Sequence, residues 1–592
     1  MIDFVALSRM LAAMRSLQNS RATIRFDAFE LDPHAGELRK QGVKIKLQAQ
    51  PFQILHALLE RPGEVVTRDE LQKRIWPPDT FVDFEQGLNN AVQRIRQALG
   101  DTAETPRFIE TLPRKGYRFI GAVETNAPRI KSLAVLPLEN LARDPEQDYL
   151  AEGITEALIL TLATIGELRV VSRTSVMQYK GVRKSLPEIA RELNVDGIIE
   201  GTVQRAGERL RVSAQLLHAS TDTHIWAESY DRDLRDVLAL QSELAQAIAR
   251  EIQIKLTPRE QAHIAHVGTV DPHAYEAYLK GRYYWNRRAK EGFQKAVQHF
   301  QEAISKDPGF AAAHAGLADC LSGLSLFGFL SPDEGLGKAK ALALRALELD
   351  PGLAEAHVSV AMVRMCYDFD FAAAEAKFER ALELNPRYAT AHSWFGHFLA
   401  AMGRHEEAYT ECQRAIRLDP LSIPIQCVFG TAHFFARRVD QATEQFQKAI
   451  ELDANYSWAY ALVSAAYLSN PNRDLAINAA RMAVQLSPAS SLYLGDVAEA
   501  YAVSGQREKA QQILDRLHEL AKHQYVSPYF LARTYVALGQ QHEALRWLET
   551  GFRERSPLMA WINSDFRLDP LRSDPRFQKL MRQMNFQSAS RD

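Results

Sequence analysis

Residues 111–121 read TLPRKGYRFIG and set Arg114, Lys115 and Arg118 around one glycine, Gly116, before the chain turns apolar. Cationic side chains on a tight turn suit phosphate oxygens: each donates charge-assisted hydrogen bonds and releases counterions. Read as a β-hairpin, the stretch lets Gly116 bring its tip close to a polyanion's backbone. Arg114 and Lys115 then reach phosphates or a minor groove. Tyr117 and Phe119 anchor the hairpin to a core, with Arg118 near the backbone. The competing reading is a solvated turn.

A second set lies just upstream. In residues 86–99, Leu88, Val92, Ile95 and Leu99 recur at helical spacing and share one face. The opposite face carries Gln86, Asn90, Gln93, Arg94 and Gln97, with Asn89 and Arg96 at its flanks. Asn and Gln can pair with adenine and Arg with guanine, while Arg94 and Arg96 can also hold phosphates. Any solvated helix face can carry the same residue types, so this helix gains meaning from the hairpin that follows it.

No catalytic set accompanies these residues. GLGK at 335–338 lacks the upstream glycine and following Ser/Thr of a phosphate loop, and neither GxSxG nor HExxH occurs. The HEEAY at His405 and HEALR at His542 share one offset within a repeat. The histidines show no ligand spacing, so no metal and no cofactor are expected. The four cysteines, Cys320, Cys366, Cys412 and Cys427, form no CxxC pair, which predicts small buried residues in a reducing compartment.

The 592 residues allow roughly three or four domains. A net charge of −2 excludes a chain that is basic throughout, so any nucleic-acid surface must be local. Segment 21–122 holds 16 Lys/Arg against 14 Asp/Glu, so affinity must come from clustering on one face and fall with salt. The most apolar run, ALILTLATIG at 157–166, is about half of a membrane span. Residues 1–20 read as a short amphipathic extension without a signal-peptide layout. Together these features predict a cytoplasmic protein without a membrane segment.

Three rhythms divide the chain. From about 271 to 585, A-[IL]-x-L-[DSN]-P recurs as ALELDP, ALELNP, AIRLDP and AVQLSP, ending at Pro351, Pro386, Pro420 and Pro488. The usual spacing is about 34 residues, the period of a helix–turn–helix repeat. Phe395, Gly396, Ala408 and Ala415 are matched in the next unit by Phe429, Gly430, Ala442 and Ala449. Small residues let two helices approach, and large ones plug the gap to the next pair. This segment resembles the tetratricopeptide repeat, in about eight units, with LRSDPRFQKLMRQM as a terminal cap. The resemblance implies an all-α superhelix whose concave groove binds a protein or peptide. Thr390, Ser393, His397, Cys427 and Thr431 are the candidates on that face.

Segment 131–256 alternates strand and helix: SLAVLPL, YLAEGITEALILTLATI, LRVVSR, SLPEIARELN, a hairpin turning at RAGER, and a closing helix. This α/β module resembles the TolB N-terminal-like domain through LAVLPLENL, YLAEGITEALI, VVSRTSVMQYK and WAESYDRDL. Ser172–Ser175 reads either as a strand end followed by a helix cap or as a polar ligand site.

Segment 21–122 runs strands, three helices and a hairpin, the order of a winged helix (α+β). VTRDELQKRIWPPD, VQRIRQALGD and IETLPRKGYRFIG resemble the OmpR-type transcriptional regulatory domain, and more closely its CadC-like branch, where the domain stands at the N-terminus. The resemblance implies binding to double-stranded promoter DNA, as a homodimer, and contact with RNA polymerase through the loop containing Pro77, Pro78, Asp79 and Thr80. Two departures stand out. No receiver domain precedes residue 21, and 123–130 is a polar linker where CadC-like proteins carry a membrane helix. The expectation is therefore a non-enzymatic, one-component regulator whose repeats receive a partner or signal. The alternative is an interaction scaffold whose winged helix contacts protein.

Overall fold

The computed structural model describes residues 24–33, 35–76, 84–124, 130–142, 144–219, 222–233, 236–254, 256–265, 270–287, 290–469 and 473–586. The chain divides into two compact units, Met1–Arg129 and Ile130–Asp592.

The first unit opens with a four-stranded meander, β1 (Ile24–Phe26), β2 (Phe29–Asp32), β3 (Glu37–Lys40) and β4 (Val43–Ile45). Three helices follow: α1 (Ala49–Leu59), α2 (Arg68–Ile75) and α3 (Phe84–Leu99), with β5 (Val65–Thr67) between the first two. The hairpin β6 (Ile109–Leu112) and β7 (Gly116–Phe119) closes a second sheet of order β5-β7-β6. Residues 123–124, expected in the linker, instead form β8 (Val123–Glu124) and pair with β1, so the strand order is β4-β3-β2-β1-β8. Edge pairing satisfies backbone groups that a linker would leave to water. Phe26, Phe29, Phe108 and Phe119 pack ring on ring, 5.1 to 6.1 Å apart, and join the two sheets. Thr67 starts α2 with a reciprocal cap: its hydroxyl accepts from the Glu70 amide at 3.2 Å, and Glu70 accepts from the Thr67 amide at 2.9 Å.

The second unit begins with a mixed sheet. β9 (Ser132–Val135) lies between β11 (Arg169–Val170) and β12 (Gly197–Ala206), and β13 (Arg209–His218) and β14 (Thr223–Asp233) extend it antiparallel. β10 (Glu139–Asn140) pairs in parallel with β12. The helices α4 (Asp148–Ala163) and α5 (Val237–Glu251) contribute Ile154, Leu158, Leu244 and Ile248 to its core. Among the described residues, eight helix pairs then run from 272 to 553. Glycines mark the close contacts. A Cβ on Gly281 or Gly316 would lie 2.7 Å from the Phe300 ring, and one on Gly430 would lie 2.4 Å from Phe446.

The array closes on itself. Phe327 of the second pair meets Trp458 of the sixth at 6.3 Å, and the Ser490 hydroxyl reaches its carbonyl at 3.4 Å. The C-terminal segment, expected to cap the last repeat, folds back over the third, fourth and fifth pairs. Phe586 meets Phe371 at 4.6 Å, Trp561 meets His397 at 4.8 Å, and Phe566 meets Phe434 at 4.7 Å. A superhelix that nearly completes a turn brings distant apolar surfaces together, and burying them outweighs a purely terminal cap.

The α/β module and the repeats share one interior. The Glu156 carboxylate on α4 accepts from Arg282 of the first repeat helix, Nε at 2.9 Å, and from Asn286 at 3.1 Å, with Arg173 at 3.5 Å. Farther out, Glu276 accepts from the Tyr149 hydroxyl at 2.5 Å and from Arg205 at 3.1 Å. Burial opposes ionisation of Glu156, but the Arg282 and Arg173 guanidiniums outweigh it and hold its carboxyl below the usual range. Removing one member of such a buried set leaves the others uncompensated, at a cost of about 3 kcal/mol. Glu156→Gln therefore lowers stability by about that amount at pH 7 in urea denaturation. A carboxyl with a depressed folded-state pKa stabilises above its unfolded value, so the gap between wild type and variant closes as pH falls through the folded-state value.

Candidate nucleic-acid interface and the repeat cavity

Helix α3 presents the expected face. Leu88, Ala91, Val92, Ile95 and Leu99 are buried, while Gln86, Asn89, Asn90, Gln93, Arg94 and Gln97 are exposed. The turn that ends the helix is held by Asp101, whose buried carboxylate accepts from the amides of Arg107, Phe108 and Ile109 at 2.7 to 3.1 Å. That fixes where β6 starts and so where the wing points.

The polar residues then divide by what they touch. Asn89 accepts from the Tyr117 hydroxyl at 2.7 Å and from Arg68 at 3.3 Å, and Arg68 also holds Glu85 at 2.7 Å. The Arg68 guanidinium lies 5.2 Å from the centre of the Tyr117 ring. These four groups fasten α2, α3 and the wing to one another. Arg96 donates to the Ile109 carbonyl and the Thr111 hydroxyl, both at 2.8 Å, so it serves the hairpin and is half-buried. Arg94 reaches the Gln48 side-chain oxygen. Asn90, Gln93 and Gln97 remain as exposed groups on the helix face.

In the wing, Arg114 and Lys115 are exposed, and Arg114 takes the tip's left-handed conformation at φ +64°. Gly116 does not form the tip. It opens β7, where a Cβ would stand 2.1 Å from the Val66 carbonyl oxygen, so the glycine admits the neighbouring strand β5. Tyr117 and Phe119 are buried as anchors, and Arg118 pairs with Glu110 across the hairpin at 2.5 Å. Pro77, Pro78, Asp79 and Thr80 lie outside the described residues, but Trp76 just before them packs against Phe84 at 5.7 Å.

The near-neutral charge of this unit is unevenly arranged. Arg25, Arg39, Lys44, Arg61, Arg74 and Arg107 are matched with carboxylates within 4 Å. No carboxylate pairs with Arg114 or Lys115 among the described residues, so the wing tip keeps its positive field. Arg68 and Asp101 were not singled out in the sequence. Arg68 had one legible signal: it follows a helix-capping threonine and so starts the helix that supports α3.

In the repeats, a cavity of about 1190 Å³ runs along the concave side and reaches α4 of the α/β module. Thr390, Ser393, His397 and Thr431 line it. Thr431 donates to the Cys427 carbonyl at 2.9 Å, and His397 stacks on Trp561. Cys427 points the other way, fully buried against Ala449 and Ala459 where two pairs meet. The Ser172 and Ser175 hydroxyls both donate to the Asp419 carboxylate, and the Leu421 amide donates to Ser175 at 3.0 Å. Ser172 follows β11 and stands at the N-cap position of the short helix Arg173–Val176 without a side-chain cap bond, Ser172, Arg173 and Thr174 line the cavity, and the two hydroxyls latch the module to the fourth repeat. Burial pushes the Asp419 carboxyl up, against the hydroxyls of Ser172, Ser175 and Ser422, which favour its charged form. Replacing Tyr117 by Phe removes the bond to Asn89 and should cost the first unit about 1 kcal/mol, read as a lower N-terminal transition in calorimetry.

Comparison with known proteins follows this division. Residues 42–119 match the family model described as "Transcriptional regulatory protein, C terminal", and residues 368–426 match one described as "Tetratricopeptide repeat". The first unit thus carries a winged helix of the transcriptional-regulatory type, and the helix pairs include tetratricopeptide repeats. The chain is 36% identical over 312 residues to "Putative adenylate cyclase 3" of Rhizobium meliloti, covering 52% of this chain and 51% of the relative. It is 25% identical over 389 residues to "Transcriptional regulator HilA" of Salmonella typhimurium, covering 65% and 68%. Against the "Cholera toxin homolog transcriptional activator" of Vibrio parahaemolyticus it is 30% identical over 155 residues, covering 26% and 53%. The chain spans about half the length of the first of these relatives. Among the described residues, no helix is long and apolar enough to cross a membrane.

Proposed function

We propose that this protein is a sequence-specific, DNA-binding transcriptional regulator of the one-component type, acting in the cytoplasm. The observation that carries the reading is the shared face of α3 and the wing. Exposed Asn90, Gln93 and Gln97 stand beside the unpaired cations Arg114 and Lys115, with Asn89, Tyr117 and Arg68 fixing one against the other. The helix enters a major groove and reads base edges. The wing tip lies on the adjoining phosphates or minor groove and sets position and affinity. The family match of this unit, and relatives named as transcriptional regulators, support the reading.

The second unit is the input. The α/β module, resembling the TolB N-terminal-like domain, and the repeats share buried charges, so a partner or signal at either one is felt by both. Homodimerisation on DNA and polymerase contact through residues 77–80 belong to this proposal, as does the absence of catalysis. Full-length protein mixed with ATP and magnesium is expected to form no cyclic AMP.

The division of labour is testable on the full-length chain. Selection from random duplex DNA should enrich one motif. Anisotropy on that motif should then show steep loss of affinity between roughly 50 and 200 mM salt. Arg114→Ala with Lys115→Ala should weaken all sequences alike and reduce the salt slope by about two, roughly one per cation. Asn90→Ala should leave the slope and change the preferred base at one position, a discrimination of about 1–3 kcal/mol. Failure to enrich any motif would remove the proposal.

A further inference from the structure

The sheet of the α/β module ends on an open edge. β14 is its outermost strand, and among the described residues no strand pairs with its far side. Its pairing with β13 is regular from Trp226 to Asp233, and it contains neither proline nor lysine, the common guards of an edge. The direction of each backbone group follows from the turn upstream. Gly207 and Glu208 form a two-residue turn between β12 and β13, so Ala206 and Arg209 close it as a hydrogen-bonded pair. Along an antiparallel ladder such pairs recur at every second residue, so odd residues of β13 bond to β12 and even ones to β14. Trp226, Glu228, Tyr230 and Arg232 therefore turn their N–H and C=O groups toward β13. Ala227, Ser229, Asp231 and Asp233 turn theirs out of the sheet. The Asp231 carbonyl agrees: it accepts from Arg232 Nη1 at 3.2 Å, where an inner strand would have a neighbour. Ala227, Ser229 and Asp231 are exposed.

The side chains select the occupant of this edge. A second copy of β14 can continue the ladder about a two-fold axis, provided the axis passes through a residue, so that outward groups meet outward groups. An axis at Glu228, Asp231 or Arg232 sets like charges directly opposite, which is unfavourable. At Ala227 or Ser229 no opposite charges meet. At Tyr230 the strand complements itself: Glu228 of each copy faces Arg232 of the other, and the two Tyr230 rings face each other. Ser229 then meets Asp231 and Ala227 meets Asp233. Asp231 keeps its own Arg209 and Arg211, at 2.5 and 3.0 Å. Arg232 already stands on the helix side of the sheet, 2.9 Å from Glu243 of α5, and Tyr230 packs against the module's core on that side. The register supplies about eight backbone hydrogen bonds between the copies.

We propose that β14 is the dimerisation edge of this protein, joining the sheets of two copies antiparallel about an axis through Tyr230. The dimer rests on the regulator reading for its use alone, which is to carry two DNA-binding units to paired half-sites. Association is measured without DNA, so either can fail by itself.

Sedimentation velocity on the full-length chain should show a concentration-dependent dimer. Ser229→Pro removes an outward N–H, spares the bonds to β13, and should raise the dimer's Kd about tenfold or more at unchanged circular dichroism. Glu228→Arg and Arg232→Glu should each raise it roughly threefold to tenfold. An equimolar mixture of those two variants should return to near the wild-type Kd, because opposite charges then meet at both contacts. Tyr230→Cys should give a disulfide-linked dimer on mild oxidation, since its two sulfurs meet at the axis, while Ala227→Cys should not. The four native cysteines are buried. A chain that stays monomeric up to about 100 μM overturns the proposal. So does a dimer indifferent to Ser229→Pro, a mixture no tighter than either variant alone, or equal cross-linking through both cysteines. If Ser229→Pro does not fold, the mixture decides. An enriched DNA motif bound by a monomer removes the dimer and leaves the regulator, and a β14 dimer without any enriched motif does the reverse.

Discussion

A carboxylate cannot be taken out of water without compensation, and Glu156 shows what that demands of the second unit. Its partners come from two regions far apart in sequence, Arg173 in the α/β module and Arg282 in the first repeat helix. Arg173 also pairs with Glu152 inside the module, whereas Arg282 comes from the repeats, so docking completes the ion set and adds to its cohesion. The Asp419 latch repeats the logic at the fourth repeat with hydroxyls in place of guanidiniums. Residues of both parts line one cavity.

The winged helix solves a different problem with similar means. A recognition helix is useful only at a defined angle to its wing. Apolar packing behind α3 sets its depth, and Asn89, Arg68 and Tyr117 fasten its solvent side. The consequence is a trade. Asn89 and Arg96 have the chemistry of base or phosphate contacts, yet the Asn89 side-chain oxygen and one Arg96 amino group are engaged within the protein. What is left for DNA is a smaller set, mostly uncharged on the helix and charged on the wing. Under the proposed function, specificity and affinity would therefore reside on different elements, which suits a unit whose total charge is close to balanced.

The repeat array likewise shows how a scaffold becomes a site. Eight pairs would leave an open groove, but the curvature brings the second pair to the sixth and the C-terminal turns over the middle pairs. Closure turns a long surface into a cavity of about 1190 Å³.

Local periodicity determined much of this protein before any contact was known. The 34-residue recurrence of small and large residues, the helical spacing of Leu88, Val92, Ile95 and Leu99, and the capping pair Thr67 and Glu70 each encode an element within a few turns of chain. The order of those elements then restricts the fold to a winged helix, an α/β module and a helical array. Patterns of that kind report which face is buried, not what lies against it. That Gly116 admits β5, that Asn89 answers Tyr117, that Ser175 meets Asp419 and that Trp561 covers His397 were decided only in three dimensions. The physical reason is reach. Propensity and amphipathicity act over about ten residues, whereas these partners are brought together by the packing of everything between them.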